Sequence, residues 1–376
     1  MTSPGFTSTA KTLLPGLSLS VVLAGCAFGL SGLSAGLIPD SARSPLSPIL
    51  LALTLGILVR HTLGLNPRFQ PGVQFSSVHV LRAGIVLLGL QLSLLEAGRI
   101  GLLALPVVVP CIVLAYVCVR WLARRMDVSR DLGTLLAVGT SICGVTAIVA
   151  LAPAIRARRE DTSYAVTCIT LFGLSAMMVY PVLARYVFDG ASVQVGVFLG
   201  AAVHDTSQVI GAALLYQHYF ADPQVLEIAT VTKLVRNLSM LVILPAVCLL
   251  HARATAAAEL QTRAGNRRNS SATAGTPALA GVFPFFILGF VALCVVRSVG
   301  DLGTSPFGLF DRQDWHQWLD VSKSLSQYCL CAAMAGVGLE TDVRSFRALG
   351  YRPLVVGFVS ATVVGFCSGA IILAMY

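Results

Sequence analysis

Charge is scarce in this sequence. Only 11% of its 376 residues are Asp, Glu, Lys or Arg, 56% are hydrophobic, and the mean hydropathy is +0.81. A soluble domain carries about a quarter charged residues. The shortage excludes an ordinary globular enzyme or free-standing binding module and indicates a polytopic membrane protein. Long polar stretches are missing as well, so residues 1–376 read as a single integral membrane domain. Paired-cysteine signatures are absent. The ten cysteines lie mostly in apolar segments, with no C-x-x-C pair and no Cys/His ligand spacing. That argues against a disulfide framework or a metal site and leaves them as small hydrophobes in helix contacts. No G-x-S-x-G, H-E-x-x-H or P-loop context accompanies Cys143 or His204. Polar/apolar alternation is lacking, which points to helices rather than barrel strands.

What remains is a series of long apolar runs. A helical span needs about 20 such residues, and roughly eleven segments qualify or nearly do, near 13–38, 46–65, 80–96, 100–122, 130–155, 162–187, 192–217, 225–250, 280–299, 317–339 and 349–375. The run after Leu13 has no clear cleavage site and reads as a first span rather than a signal peptide. Residues 252–279, rich in Ala, Thr, Ser, Asn and Arg, read as a flexible polar cytoplasmic loop. The excess of basic residues, a net charge of +9, sits beside the spans and calls for no nucleic acid. If every segment crosses, 16 basic loop residues fall on one side and 7 on the other. The positive-inside rule then puts the N-terminus in the cytoplasm. Arg156, Arg158 and Arg159 spoil that count by landing outside. Making 130–155 and 192–217 re-entrant hairpins, entering from opposite sides, moves them inside and improves the balance to 18 against 5. Two broken crossing helices are the alternative. A weak internal repeat pairs 87–109 with 334–356 (Gly89 with Gly336, Leu92 with Leu339, Pro106 with Pro353), running in opposite directions as inverted repeats require.

Two polar interruptions stand out. Gly139-Thr140-Ser141-Ile142-Cys143-Gly144-Val145-Thr146 breaks one apolar segment, and His204-Asp205-Thr206-Ser207-Gln208 breaks another. Unwound backbone at membrane depth is tolerated only where it is buried in protein or lines a watery cavity, and discontinuous helices mark transporter substrate sites. Exposed N–H groups at such breaks attract anions. Thr140, Ser141, Cys143, Gly144, Thr146, Thr206, Ser207 and Gln208 are therefore candidate substrate ligands, although small residues also serve plain helix packing. His204 and Asp205 are expensive in hydrocarbon and are candidates for a coupling ion. A histidine with an ordinary pKa of about 6.5 suits proton transfer. Lys233, Arg236 and Asn237 share one helical face and offer counter-charge to an anion. Alternatively, Asp205 neutralises those cations, or they snorkel to the interface. Arg82, Glu96 and Lys323 read as interfacial.

At these residues the chain resembles the YeiH-type family, a family named for sulfate export. The resemblance rests on Thr140-Ser141-Ile142-Cys143-Gly144-Val145-Thr146-Ala147-Ile148 with Pro153, on His204-Asp205-Thr206-Ser207-Gln208-Val209, on Lys233…Arg236-Asn237 and on Ala335-Gly336-Val337-Gly338-Leu339. It extends from about residue 46 to the C-terminus. The family pattern commonly places Glu after the histidine, so Asp205 is a conservative departure. The resemblance implies inner-membrane export of sulfate or a related sulfonate, and a layout similar to sodium/bile-acid and cation–proton transporters.

The expectation is an all-α polytopic membrane protein with inverted repeats, acting as a secondary transporter that exports a small anion by alternating access. A cation–proton antiporter, with Asp205 as the exchange carboxylate, is the alternative. An intramembrane enzyme using Cys143 and His204, or a passive channel, fits less well. No catalytic residue, metal or cofactor is expected beyond H⁺ or Na⁺ coupling. Expected partners are the anionic solute and the bilayer, with a homodimer left open by the sequence.

Overall fold

The computed structural model describes residues 6–36, 46–263, 285–302, 311–342, 344 and 350–376, and every regular element among them is a helix. α1 (Phe6–Gly36) and α2 (Pro48–Thr62) come first. α3 (Gln70–Phe75) passes through a π-turn at Ser76–Val80 into α4 (Leu81–Leu88), forming with Gly89–Gln91 one 22-residue path. There follow α5 (Leu94–Arg125), α6 (Arg130–Ser141), α7 (Val145–Ala154), α8 (Arg159–Val187), α9 (Ser192–Ala202), α10 (Thr206–Phe220), α11 (Gln224–Leu238), α12 (Met240–Arg263), α13 (Phe286–Gly300), α14 (Arg312–Glu340) and α15 (Tyr351–Met375).

Six helical paths of 22 to 32 residues are long and apolar enough to cross a membrane. At 1.5 Å per residue, 20 residues span a hydrocarbon core of about 30 Å. Large apolar side chains also face outward: Leu102, Val242 and Phe366 are each at least 70% exposed. Such a belt is stable only against acyl chains, which makes the chain a multi-pass membrane protein.

Local signals set the helix starts. Ser93 and Glu96 form a capping box at the head of α5, an arrangement worth about 1 kcal/mol; Glu96 thus belongs to a helix terminus. Between helices, missing side chains allow close approach. A Cβ on Gly56 of α2 would lie 2.5 Å from the Ala335 carbonyl oxygen of α14, and one on Gly338 would lie 2.3 Å from that of Leu53. Close backbone contact of this kind is how membrane helices associate where burial drives nothing.

Both broken segments turn back. Ser129, at the head of α6, donates its hydroxyl to Asp161 Oδ1 at the head of α8 (3.2 Å). The α6–α7 pair therefore returns to the end of the bundle where it started. Ser192, opening α9, donates to Asp222 Oδ2 just beyond α10 (2.6 Å), so α9–α10 returns likewise. The 29-residue α8 separates the two. Its first turn meets Ser129, whereas Arg185 near its other end lies 5.9 Å from the Phe220 ring at the close of α10. The hairpins thus enter from opposite ends and meet inside. The stretches 87–109 and 334–356 also run in opposite directions, one entering α5 and the other α15. That pairing does not bring the hairpins into register, because one hairpin follows the first copy and the other precedes the second.

Two boundaries differ from expectation. The third span starts at Gln70, not near residue 80, because the polar residues preceding Val80 face an internal cavity rather than lipid. The stretch 252–279 begins as helix: α12 continues through Arg263, carried by Ala252, Ala254 and Ala256–Ala258. Residues 264–279 lie outside the described residues.

Candidate functional site: the crossing of two hairpins

At the crossing, four half-helix ends come together. α6 stops at Ser141 and α7 starts after Gly144; α9 stops at Ala202 and α10 starts after Asp205. Gly144 is required twice over. Its φ of 66° with ψ of −126° is a conformation L side chains avoid, and a Cβ there would lie 2.8 Å from Asp205 Oδ2.

The C-terminal ends of α6 and α9 present unpaired carbonyls and the negative pole of the helix dipole, about half a charge each. Both are answered from α11. Lys233 Nζ donates to the carbonyls of Ile142 (3.2 Å), Val203 (3.0 Å) and His204. Arg236 donates through Nε to Ser141 (2.9 Å), through Nη1 to Ala201 (2.5 Å) and Val203 (3.3 Å), and through Nη2 to Thr140. The two side chains are 0% and 1% exposed. Their donors go to backbone carbonyls, they do not line the cavity, and they neither snorkel nor pair with Asp205.

The N-terminal ends of α7 and α10 gather on the other side of the crossing, around Asp205. Its Oδ2 accepts from the Val145 N–H (3.3 Å), while Oδ1 accepts from the Ser207 N–H (3.0 Å) and hydroxyl (2.8 Å). Gln208 completes a capping box by accepting from the Asp205 N–H through Oε1 (3.2 Å), and donates through Nε2 to the Thr170 carbonyl (3.3 Å). The carboxylate thus bridges both positive poles.

A cavity of about 760 Å³ opens on this side. Of the residues singled out in the sequence, Cys143, Thr146, Asp205, Thr206, Ser207, Gln208 and Asn237 line it. Asn237 donates to Thr206 Oγ1 (3.2 Å) and keeps a buried Oδ1 without a partner among the described residues. Thr140, Ser141, Gly144 and His204 are not part of the lining. Ser141 donates its hydroxyl back to the Ala137 carbonyl (2.6 Å). Thr140 Oγ1 and both ring nitrogens of His204 are buried without hydrogen-bond partners among the described residues. Cys143 Sγ approaches Met240 Sδ at 3.5 Å.

The opposite wall holds what sequence reasoning missed. Gln70, Gln74, Ser77 and Arg82 line the cavity from α3–α4, joined by Arg60 of α2 and Glu340 of α14. Arg82 lies twelve residues into the 22-residue path, not at its edge. Its guanidinium sits 5.5 Å from the Phe286 ring centroid, and no carboxylate lies within 4.0 Å among the described residues. A signal was present, since Gln70, Gln74, Ser77 and Arg82 recur at nearly helical spacing, a polar stripe within an apolar segment. Two arginines balance two carboxylates on the lining, and the half-helix N-termini tip the site positive by about one charge before any solute binds.

A family model described as conserved hypothetical protein 698 matches residues 15–357. The chain belongs to that family. Its members include UPF0324 membrane proteins, and this is the YeiH-type group that the Ser-Ile-Cys-Gly motif resembles. The UPF0324 protein of Pseudomonas aeruginosa is 32% identical over 357 residues, covering 92% of this chain and 90% of the relative. The UPF0324 protein of Oceanobacillus iheyensis is 30% identical over 327 residues, 87% of each chain. That of Nitratidesulfovibrio vulgaris is 29% identical over 314 residues, 83% of this chain and 79% of the relative. No solved structure matches the chain.

Proposed function

We propose that this family member is a secondary active transporter exporting a small sulfate- or sulfonate-like anion across the inner membrane by alternating access. One observation carries the reading: two half-helix N-termini, each with one N–H taken by Asp205, and the Arg82 guanidinium, with no carboxylate within 4.0 Å among the described residues, face a single cavity inside the bundle. N–H groups at helix starts bind oxyanions, and a guanidinium matches their oxygens in a bidentate fork. Thr146, Thr206 and Asn237 supply further polar atoms. The cavity opens at the end of the bundle that carries Arg124, Arg125, Arg130, Arg156, Arg158 and Arg159. By the positive-inside rule this end is cytoplasmic, as is the N-terminus, and a cavity open there is loaded for export. Asp205 and His204 serve the coupling ion, H⁺ or Na⁺, and no catalytic role is assigned to Cys143.

Asp205 itself favours a second reading, a cation–proton antiporter. A carboxylate between two half-helix N-termini is placed to exchange a proton for a cation. Proteoliposomes separate the two. Labelled sulfate and taurine uptake under imposed pH and sodium gradients supports the anion reading if it is saturable and lost in Arg82→Gln. Sodium-driven proton movement abolished by Asp205→Asn, without anion flux, replaces it with the antiporter.

A further inference from the structure

A second cavity, of about 470 Å³, lies at the opposite end of the bundle. Three helices connect it to the first. α2 lines the second cavity at Pro48 and Ile49 and the first at Arg60; α14 lines the second at Lys323 and Gln327 and the first from Val337 to Thr341. α10 runs the other way, with Thr206–Gln208 on the first cavity and Leu214–Ala221 on the second. The partition between them is thin. Gln208 to Leu214 is about 9 Å along α10, and Gln327 to Val337 about 15 Å along α14, at 1.5 Å per residue.

The partition is packed shut at one point. Met177 of α8 and Met334 of α14, both fully buried, converge on Gly211 of α10. A Cβ at Gly211 would lie 2.5 Å from Met177 Sδ and 3.2 Å from Met334 Cε. Methionine is unbranched and repacks readily, so these two thioethers form a plug that can move aside without disturbing backbone. Beyond the plug the lining is polar and partly unanswered. The Ser47 hydroxyl is fully buried and Gln217 Oε1 is buried, and neither has a hydrogen-bond partner among the described residues. Lys323 lines the same cavity with no carboxylate within 4.0 Å among the described residues, the Glu227 carboxylate acting on it only from farther off. Buried polar atoms left unmatched by protein are matched by water or solute, and a cation beside them selects an anion.

We propose that this second cavity is the opposite mouth of the same pathway. In it Lys323, Gln217 and Ser47 form the anion's exit site, and Met177, Gly211 and Met334 form the gate between the two mouths. The inference rests on the anion-transport reading and adds its far end.

The test uses Gln74→Cys for the first cavity and Gln327→Cys for the second, each in the full chain reconstituted into vesicles. An impermeant methanethiosulfonate is applied to one face or the other, with and without sulfate or taurine, and adducts are located by peptide mass spectrometry. Gln327→Cys is expected to react only from the face bearing the 187–192 turn, and Gln74→Cys only from the other face. Sulfate or taurine should slow both by about fivefold or more. If Gln327→Cys reacts from the same face as Gln74→Cys, or ignores both anions while Gln74→Cys is protected, the second cavity is off the pathway and the transport reading survives. If the anions protect neither cysteine, the transport reading fails and this inference with it. The gate has its own arm: Met177→Ala/Met334→Ala should raise gradient-independent anion leak by about fivefold or more, and an unchanged leak from correctly folded protein removes the gate.

Discussion

Replacing Lys233 with Met separates two roles a buried cation can have. If the ammonium caps half-helices, its loss orphans two carbonyls, those of Ile142 and His204, and leaves that of Val203 with Arg236 alone, at the ends of α6 and α9. An unsatisfied buried acceptor costs about 1–3 kcal/mol, and removing one partner of a buried ionic arrangement costs about 3–5 kcal/mol overall once neighbours relax. The side chain is fully buried, so no solvent screening softens that estimate. For a chain of this size each kcal/mol shifts Tm by about 2 °C, giving a fall of about 6–10 °C. Tryptophan fluorescence during thermal unfolding in detergent reads it, using Trp121, Trp315 and Trp318. A capping role predicts the lowered Tm whether or not anion is present. An unchanged Tm with a raised KM for anion would refute it and return Lys233 to the substrate site.

Other expectations follow from the same geometry. Gly144→Ala puts a side chain into a positive-φ conformation and against Asp205, a strain of about 1–3 kcal/mol; transport rate in vesicles should fall at least tenfold while the protein still inserts. Asp205→Asn keeps one acceptor oxygen, enough for the Val145 or the Ser207 N–H but not both, and removes the charge, so gradient coupling should vanish while anion exchange continues. Gly338→Val drives side-chain atoms into the Leu53 carbonyl and should lower Tm by several degrees, an overpacking cost of about 1–3 kcal/mol. Ser93→Ala removes the capping box of α5 and should cost about 1 kcal/mol with little change in flux.

Much of the site was legible in the sequence, because polar residues in hydrocarbon-length segments need a reason to be there. The breaks at 139–146 and 204–208 are where the structure interrupts its helices, and the Arg156, Arg158 and Arg159 cluster pointed to hairpins that turn back. The direction in which Lys233 and Arg236 point was not legible. Spacing places both on one face of α11, but whether that face meets half-helix carbonyls or half-helix N–H groups depends on how the hairpins cross in space. Arg82 was hidden for a different reason. Gln70, Gln74 and Ser77 look like a polar loop when hydropathy is averaged, and become a cavity lining only once the helix is known to continue through them.

Labelled sulfate and taurine uptake into proteoliposomes by Arg82→Gln, set against the intact protein at matched Tm, bears most directly on the anion site. The account predicts saturable, gradient-driven flux for the intact protein and a loss of at least about tenfold, or 1.4 kcal/mol, for the variant. Equal flux from both, or flux from neither above protein-free vesicles, would contradict it.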